Sequence, residues 1–187
     1  ATLQITLDRP SKRNAMNSAT TAELESVVDW LLHTSSEIRV LIVRGEGDTF
    51  CSGDDVGDLG DTGPAASELS LRRGQLFQQI TRLPQIFVAA VDGLCLGGGL
   101  VLAASCDFRI ATHRAKLGLP EVSLGWPANY GMGIVQSLIG RGRAIELALT
   151  AEAIDARRAE SIGLVHRVVS PSQLLAETEQ LVARLRS

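Results

Sequence analysis

The sequence predicts an α/β fold in which buried parallel strands alternate with helices. Three observations support this prediction: nearly continuous apolar runs, amphipathic segments between them, and glycine- or proline-rich turns at the junctions. The chain has 187 residues, of which 45% are hydrophobic and 21% charged, and this suits one domain with a substantial core. No linker-like stretch divides the sequence, so we expect residues 1–187 to form a single domain.

The first half of the chain predicts three strands and two helices. LQITLD alternates as a strand does, and IRVLIVRG and QIFVAAVDG are apolar runs that end in glycine. Apolar residues at helical spacing predict helices over residues 18–33 and 67–83, the second ended by Pro84. The stretch 45–64 is rich in Gly and Asp and predicts a loop.

The second half continues the alternation. A helix is predicted to begin at Leu100, followed by two short strands, DFRIAT and KLGLPE. Three helical segments then cover residues 131–139, 143–149 and 156–161. GLVHRVVS predicts one more strand, and residues 172–186 a last amphipathic helix.

Composition excludes several function classes. A formal net charge of −3 and an aromatic content of 4% favour neither a nucleic-acid surface nor a base-stacking platform. No apolar run reaches the roughly 18 residues that cross a bilayer, and the N-terminus lacks a signal-peptide pattern. The histidines are widely spaced, so we expect no metal site. The three cysteines are Cys51, Cys95 and Cys106, and each lies among apolar residues. This predicts reduced thiols and a cytoplasmic protein.

Three consecutive glycines in VDGLCLGGGLVLAASCD stand between a strand and a helix. No Lys follows them as in a P-loop, and their spacing does not fit the dinucleotide pattern G-x-G-x-x-G. What remains is a helix N-terminus without a cationic side chain, which suits a small transient negative charge such as an enolate oxygen. Tight strand–helix packing is the alternative interpretation of the three glycines.

A second turn, in DTFCSGDDV, has Gly53 at a sharp bend, so two turns can place two N–H groups on one oxygen. At this point the chain resembles the crotonase (enoyl-CoA hydratase/isomerase) superfamily. The matching stretches occur in the family's order along almost the whole chain: LDRPSKRNAMN, FCSGDDV, AAVDGLCLGGGLVLAASCDFRIA, KLGLPEVSLG and LTAEAIDARRAESIGLVHRVV.

The resemblance implies a crotonase-like spiral of ββα units, with the usual C-terminal helical extension short or missing. It implies one acyl-CoA-binding domain over residues 1–187, assembled as a homotrimer or a dimer of trimers. The substrate would be an acyl thioester of coenzyme A, with no further cofactor. The family's two enolate-binding N–H donors fall on Asp54 and Gly98. Five further positions would bind substrate: Asp55, Val56, Gly97, Trp126 and Asn129.

Two positions decide which reaction the resemblance implies. Hydratases of the family use two glutamates, and the first of these positions is Val101 here, which transfers no proton. The second is Glu121, which closes the PE motif. One carboxylate is enough to move a double bond, so Glu121 is the expected general base and acid and isomerisation is favoured over hydration. Some relatives carry Asp where this chain has Asn129, which is no proton carrier.

Three alternatives stay open from the sequence. Enoyl-CoA hydration is one, and decarboxylation or thioester hydrolysis on the same scaffold is another. The third is a non-catalytic crotonase-like subunit that binds acyl-CoA or a partner enzyme. Glu121 and both glycine turns are present, and this speaks against the third alternative.

Overall fold

The central element is a five-stranded, all-parallel sheet with the strand order β1-β2-β3-β5-β8. A computed structural model describes residues 1–34, 37–59, 64–128 and 130–186. The strands of this sheet are β1 (Thr2–Leu7), β2 (Val40–Gly45), β3 (Ile86–Val91), β5 (Phe108–Thr112) and β8 (Arg167–Val169). A second sheet contains β4 (Leu94–Leu96), β6 (Lys116–Gly118) and β7 (Ile154–Asp155). The parallel α/β architecture predicted from the sequence is confirmed.

Helices cover both faces of the five-stranded sheet. On one face, Val40, Ile42 and Val88 pack against Leu174 and Val182 of the C-terminal helix α8 (Leu174–Arg186). The alternate strand residues face a larger core shared with other helices. Both faces of β2 and β3 are therefore buried, which explains their continuous apolar sequences. The remaining helices are α1 (Ser18–Thr34), α2 (Val56–Leu59), α3 (Pro64–Ile80), α4 (Gly98–Ser105), α5 (Met132–Ile139), α6 (Arg141–Thr150) and α7 (Ala156–Ser161).

Several short elements escaped the sequence prediction. The stretch expected to be loop contains α2, and two strands of the second sheet, β4 and β7, have only three and two residues. Such elements are too short to show a period. Helix α3 ends at Ile80 instead of 83, and turn hydrogen bonds from Thr81, Arg82 and Leu83 close it before Pro84.

Strand β4 brings the two glycine turns together. The segment that follows β2 runs beside β4, because the Cys51 N–H donates to the Leu94 carbonyl at 2.9 Å and the Leu96 N–H donates to the Cys51 carbonyl at 3.0 Å. All three cysteines are buried free thiols, in agreement with the sequence expectation. No helix in the described ranges has the length and apolar character needed to span a membrane.

Candidate active site

The two glycine turns touch at Gly53 and Gly97. Both residues have positive φ, +105° and +53°, which glycine adopts without strain. A Cβ placed on Gly97 would lie 3.7 Å from the Gly53 Cα, and one placed on Gly53 would lie 3.0 Å from the Leu96 carbonyl oxygen. The backbones therefore approach so closely that side chains at these two positions would crowd the opposite turn.

The amide groups that follow these glycines are the expected donors. Gly98 is the first residue of the wholly buried helix α4, so its N–H lies at the helix N-terminus. Hydrogen bonds from Met16 N–H to the Gly53 carbonyl (2.8 Å) and from Asp55 N–H to the Met16 carbonyl (2.9 Å) fix the chain on either side of Asp54. Among the described residues, neither the Asp54 N–H nor the Gly98 N–H has an acceptor. Both remain available for an oxygen of a ligand.

Glu121 follows strand β6 in the chain, and its side chain lies next to the Gly97 turn. It is the first residue of a 3-10 helix, Glu121–Leu124, and its Oε1 lies 3.2 Å from where a Gly97 Cβ would stand. Its Oε2 is buried and has no hydrogen-bond partner in the described part of the chain. Burial raises the pKa of Glu121, and the negative charge of Asp54 raises it further, whereas its own backbone N–H lowers it. This carboxyl group holds a proton more tightly than an exposed glutamate does.

The side chain of Asp54 takes part in a polar network that the sequence did not reveal. The Tyr130 hydroxyl donates to Asp54 Oδ1 at 2.5 Å, and Arg73 Nη1 lies 3.2 Å from Asp54 Oδ2. Burial raises the pKa of Asp54, whereas Arg73 and the Tyr130 hydrogen bond lower it. From the sequence, only the backbone of Asp54 could be given a role, since no spacing motif connects it to Arg73 or Tyr130.

Arg73 is the buried cation of this network. Its side chain is 1% exposed, and it donates to Thr21 Oγ1 at 2.9 Å and to the Met16 carbonyl at 2.7 Å. Both of these acceptors are neutral, so Asp54 is the carboxylate that balances its charge within the described residues.

The side chain of Val101 is buried and enclosed by neighbouring protein atoms. Val101 is 1% exposed, and a Cβ on Gly131, which has φ +76°, would overlap the Val101 side chain. The backbone at Gly131 therefore lies directly on Val101 and fills the space beside it. The neighbouring Asn129 lies outside the described residues.

Two of the expected substrate-binding residues lie just beyond the Gly53 turn. Asp55 pairs with Arg9 at 2.9 Å, and this hydrogen bond lowers the pKa of the Asp55 carboxyl group. Val56 starts α2 and is 53% exposed. Within the described part of the chain, neither side chain forms a hydrogen bond or an ion pair with Glu121, and their part in substrate binding stays a prediction.

Two surface grooves border the segment between Glu121 and α5. One, of about 590 Å³, is lined by Tyr130 and Gly131 together with Ser70, Gly74 and Gln78 of α3. The other, of about 570 Å³, contains Trp126 among mainly apolar neighbours that include Val122, Met132 and Leu149. The first groove reaches the polar network through Tyr130, whose hydroxyl bonds to Asp54.

The sequence and the fold both match known proteins. The sequence model described as enoyl-CoA hydratase/isomerase matches residues 1–187. The mevalonyl-coenzyme A hydratase sidH of Aspergillus fumigatus is 36% identical over an alignment of 194 positions. The alignment covers 98% of this chain and 68% of that protein. The crotonyl-CoA hydratase of Syntrophomonas wolfei is 37% identical over 184 residues, covering 97% of this chain and 70% of that protein.

Solved structures also match this chain over nearly its whole length. The enoyl-CoA hydratase of Bacillus anthracis superposes with a TM-score of 0.93 at 31% identity, over 98% of this chain and 72% of its own. Pseudomonas aeruginosa AtuE also gives a TM-score of 0.93, at 37% identity, over 98% of this chain and 73% of its own.

Proposed function

The chain belongs to the enoyl-CoA hydratase/isomerase family of the crotonase superfamily, and on this premise we propose that Asp54 and Gly98 bind the enolate of an acyl-CoA thioester. The crotonase-like fold predicted from the sequence is confirmed by the solved structures. These two N–H groups have no acceptor within the described ranges, and this supports the assignment, because charge that develops on a thioester oxygen is stabilised best by donors already in place.

Double-bond isomerisation is the reaction that we propose. The Glu121 carboxylate removes a proton from C2 of a 3-enoyl thioester, and the C–H electrons form the enolate. The carbonyl then re-forms, the double bond moves to C2–C3, and the protonated Glu121 returns the proton at C4. The observation that carries this proposal is the buried Glu121 Oε2 at the edge of the Gly97 turn, which has no hydrogen-bond partner among the described residues.

Hydration of a 2-enoyl thioester is the second candidate. The names of the relatives from Syntrophomonas wolfei and Aspergillus fumigatus favour it. Water addition requires a group that accepts a proton from water as well as one that gives a proton to C2, and Val101 does neither.

Two further proposals concern the setting of the protein. As in the family that the sequence resembles, we propose a homotrimer or a dimer of trimers. We also propose a cytoplasmic location, supported by the three buried free thiols.

The experiment that tests the function compares Glu121→Gln with the unmodified protein on 2-enoyl-, 3-enoyl- and malonyl-type CoA thioesters, with products identified by mass and retention time. We expect Glu121→Gln to lower isomerisation about 10²–10⁴-fold, because the amide cannot act as the base. Acyl-CoA binding should stay within a few-fold, because the two N–H groups are unchanged.

Glu177→Gln serves as the matched control. Glu177 of α8 forms an ion pair with Arg167 of β8 and lies in no part of the proposed site. Full isomerisation by Glu121→Gln would contradict the proposed mechanism.

A further inference from the structure

Two polar side chains border the space in front of Gly98. A Cβ on Gly98 would overlap the Tyr130 hydroxyl, and it would lie 2.5 Å from Asp54 Oδ1. The carboxylate of Asp54 therefore lies beside the Cα of Gly98, whose N–H is the proposed donor. The substrate's C2 and C3 must lie near this region if its thioester oxygen binds the Gly98 N–H.

Asp54 and Glu121 have different electrostatic partners, although burial raises the pKa of both carboxyl groups. Asp54 has a buried guanidinium at 3.2 Å, which favours its ionised form. Glu121 has no cation among its described neighbours, and the charge of Asp54 disfavours its ionisation. Two nearby carboxyl groups, of which one has a cationic partner and the other has none among the described residues, can divide the roles of base and acid.

We propose that the Asp54 side chain is a second acid–base group of this site and that, with Glu121, it lets the chain add water to 2-enoyl thioesters. This inference rests on the proposed function, since it uses the same enolate-binding N–H groups. It places the second carboxylate on the Gly53 turn instead of at position 101, where Val101 is sealed by Gly131.

The proposed reaction balances without a further reactant. The Asp54 carboxylate takes a proton from water while the water oxygen bonds to C3. The C2–C3 π electrons form the enolate, whose charge lies on the thioester oxygen at the Asp54 and Gly98 N–H groups. The protonated Glu121 then gives its proton to C2, so that H and OH have been added. Asp54 ends protonated and Glu121 ionised, and exchange with solvent restores both.

Tyr130 and Arg73 position the carboxylate. Tyr130 donates to one oxygen of Asp54, and Arg73 lies beside the other. Each carboxylate oxygen has two acceptor sites, so a water molecule can still donate to Asp54. Among the described residues, Cys51 is a further titratable group beside Asp54, and burial raises the pKa of its thiol to about 12, so it stays neutral.

The test uses Asp54→Asn, which is isosteric and keeps the backbone N–H. Crotonyl-CoA hydration is measured, and so is the exchange of C2 protons of butyryl-CoA in D₂O. We expect the unmodified protein to do both. Asp54→Asn should lower hydration about 10²–10⁴-fold and leave C2 exchange within about tenfold, since exchange needs only Glu121 and the two N–H groups.

Asp92→Asn is the matched control. The Asp92 side chain is 17% exposed and Asp54 is 18% exposed, and each pairs with an arginine. This control should keep both activities. Tyr130→Phe keeps the Asp54–Arg73 pair and provides a second test if Asp54→Asn folds poorly, because hydration should then fall at least tenfold while exchange persists.

Three results would overturn the inference. One is normal hydration by Asp54→Asn or by Tyr130→Phe. Another is an unmodified protein that exchanges C2 protons but does not hydrate crotonyl-CoA, and this result leaves the proposed enolate function intact. The third is an unmodified protein that neither exchanges nor isomerises, which contradicts both proposals.

Discussion

The three consecutive glycines at the start of α4 meet different neighbours. Gly97 has a positive φ and lies at the end of the Glu121 side chain. A Cβ on Gly98 would meet the ends of three side chains, whereas one on Gly99 would lie 2.5 Å from the Cys51 carbonyl oxygen. Packing against backbone, the alternative interpretation at the sequence level, therefore explains Gly99, whereas a Cβ at Gly98 would displace side chains of the proposed site.

This difference predicts opposite effects of two alanine substitutions. Gly98→Ala should reduce turnover about 10²–10³-fold, because the methyl group displaces an oxygen bound to the Gly98 N–H. It should lose less stability than Gly99→Ala, because its methyl group meets the ends of side chains whereas that of Gly99 meets backbone. Gly99→Ala should cost roughly 1–3 kcal/mol of stability, because backbone has to shift.

Melting temperature and turnover per folded molecule, measured for both variants, separate the two effects. We expect Gly99→Ala to keep most of its turnover per folded molecule. A Gly98→Ala protein with normal turnover would exclude the enolate-binding role of that N–H group.

The chemistry of individual residues was only partly predictable. Glycine turns and the PE motif are local patterns, so Gly98, Glu121 and the backbone of Asp54 could be assigned from the sequence, although these roles stay predictions. The contacts of Arg73 and Tyr130 with Asp54 could not, because they depend on how α3 and the segment before α5 pack together. Contacts between elements distant in sequence leave no local pattern.

Helix α4 connects the proposed site to a second buried cation. Its N-terminus presents Gly98, and its C-terminal carbonyls face Arg109, which is 1% exposed. Arg109 donates to the carbonyls of Ala103 and Cys106, and to the Leu164 carbonyl at 2.7 Å. Burial lowers the pKa of Arg109, so its charge is costly and the helix C-terminus stabilises it.

We expect Arg109→Met to lower the free energy of unfolding by about 2–4 kcal/mol. Each buried carbonyl that loses its donor costs about 1–3 kcal/mol, and removal of a desolvated charge offsets part of the total. Denaturant unfolding measures this change. The control is Arg157→Met, which removes an exposed arginine paired with Glu160 and should change stability by less than about 0.5 kcal/mol. Equal effects of the two substitutions would contradict the capping role of Arg109.

Helices and strands were predicted correctly from the sequence where they are long enough to show a hydrophobic period. The main strands and the longer helices follow from apolar runs and helical spacing, since burial on two faces or on one stripe imposes those patterns. Strand β4 lies within the glycine-rich stretch and has only three residues, yet it joins the two turns of the site. The sequence therefore predicted the two turns but not the strand that brings them together.

At the scale of the whole molecule, titrating groups act on stability in opposite directions. The lowered pKa values of Asp55 and Asp92 contribute stability above the unfolded value of about 3.9, and this is lost as the pH falls through their folded pKa values. The raised pKa values of Glu121 and Asp54 contribute stability at low pH, which is lost as the pH rises through their folded pKa values. The proposed site therefore costs stability at neutral pH.

The ionisation of His166 changes the stability of the protein in a different pH range. Its Nδ1 accepts the Arg109 backbone N–H at 3.2 Å, and burial and the Arg109 charge lower the pKa of the ring. As the pH falls, His166 therefore binds a proton at a higher pH in the unfolded chain than in the folded protein. The free energy of unfolding decreases as the pH drops through the unfolded pKa of about 6.5. This range lies above the one in which the aspartates act.

The variant His166→Gln isolates this contribution, because glutamine can accept the same N–H and does not titrate. Melting temperatures of both proteins from pH 8 to pH 5 should differ by a constant above pH 7.5. Below pH 6.5 the unmodified protein should lose about 1–3 °C relative to the variant, a small change because the ring is partly exposed and screened. A gap between the two melting curves that stays constant down to pH 5 would show that His166 does not link stability to pH.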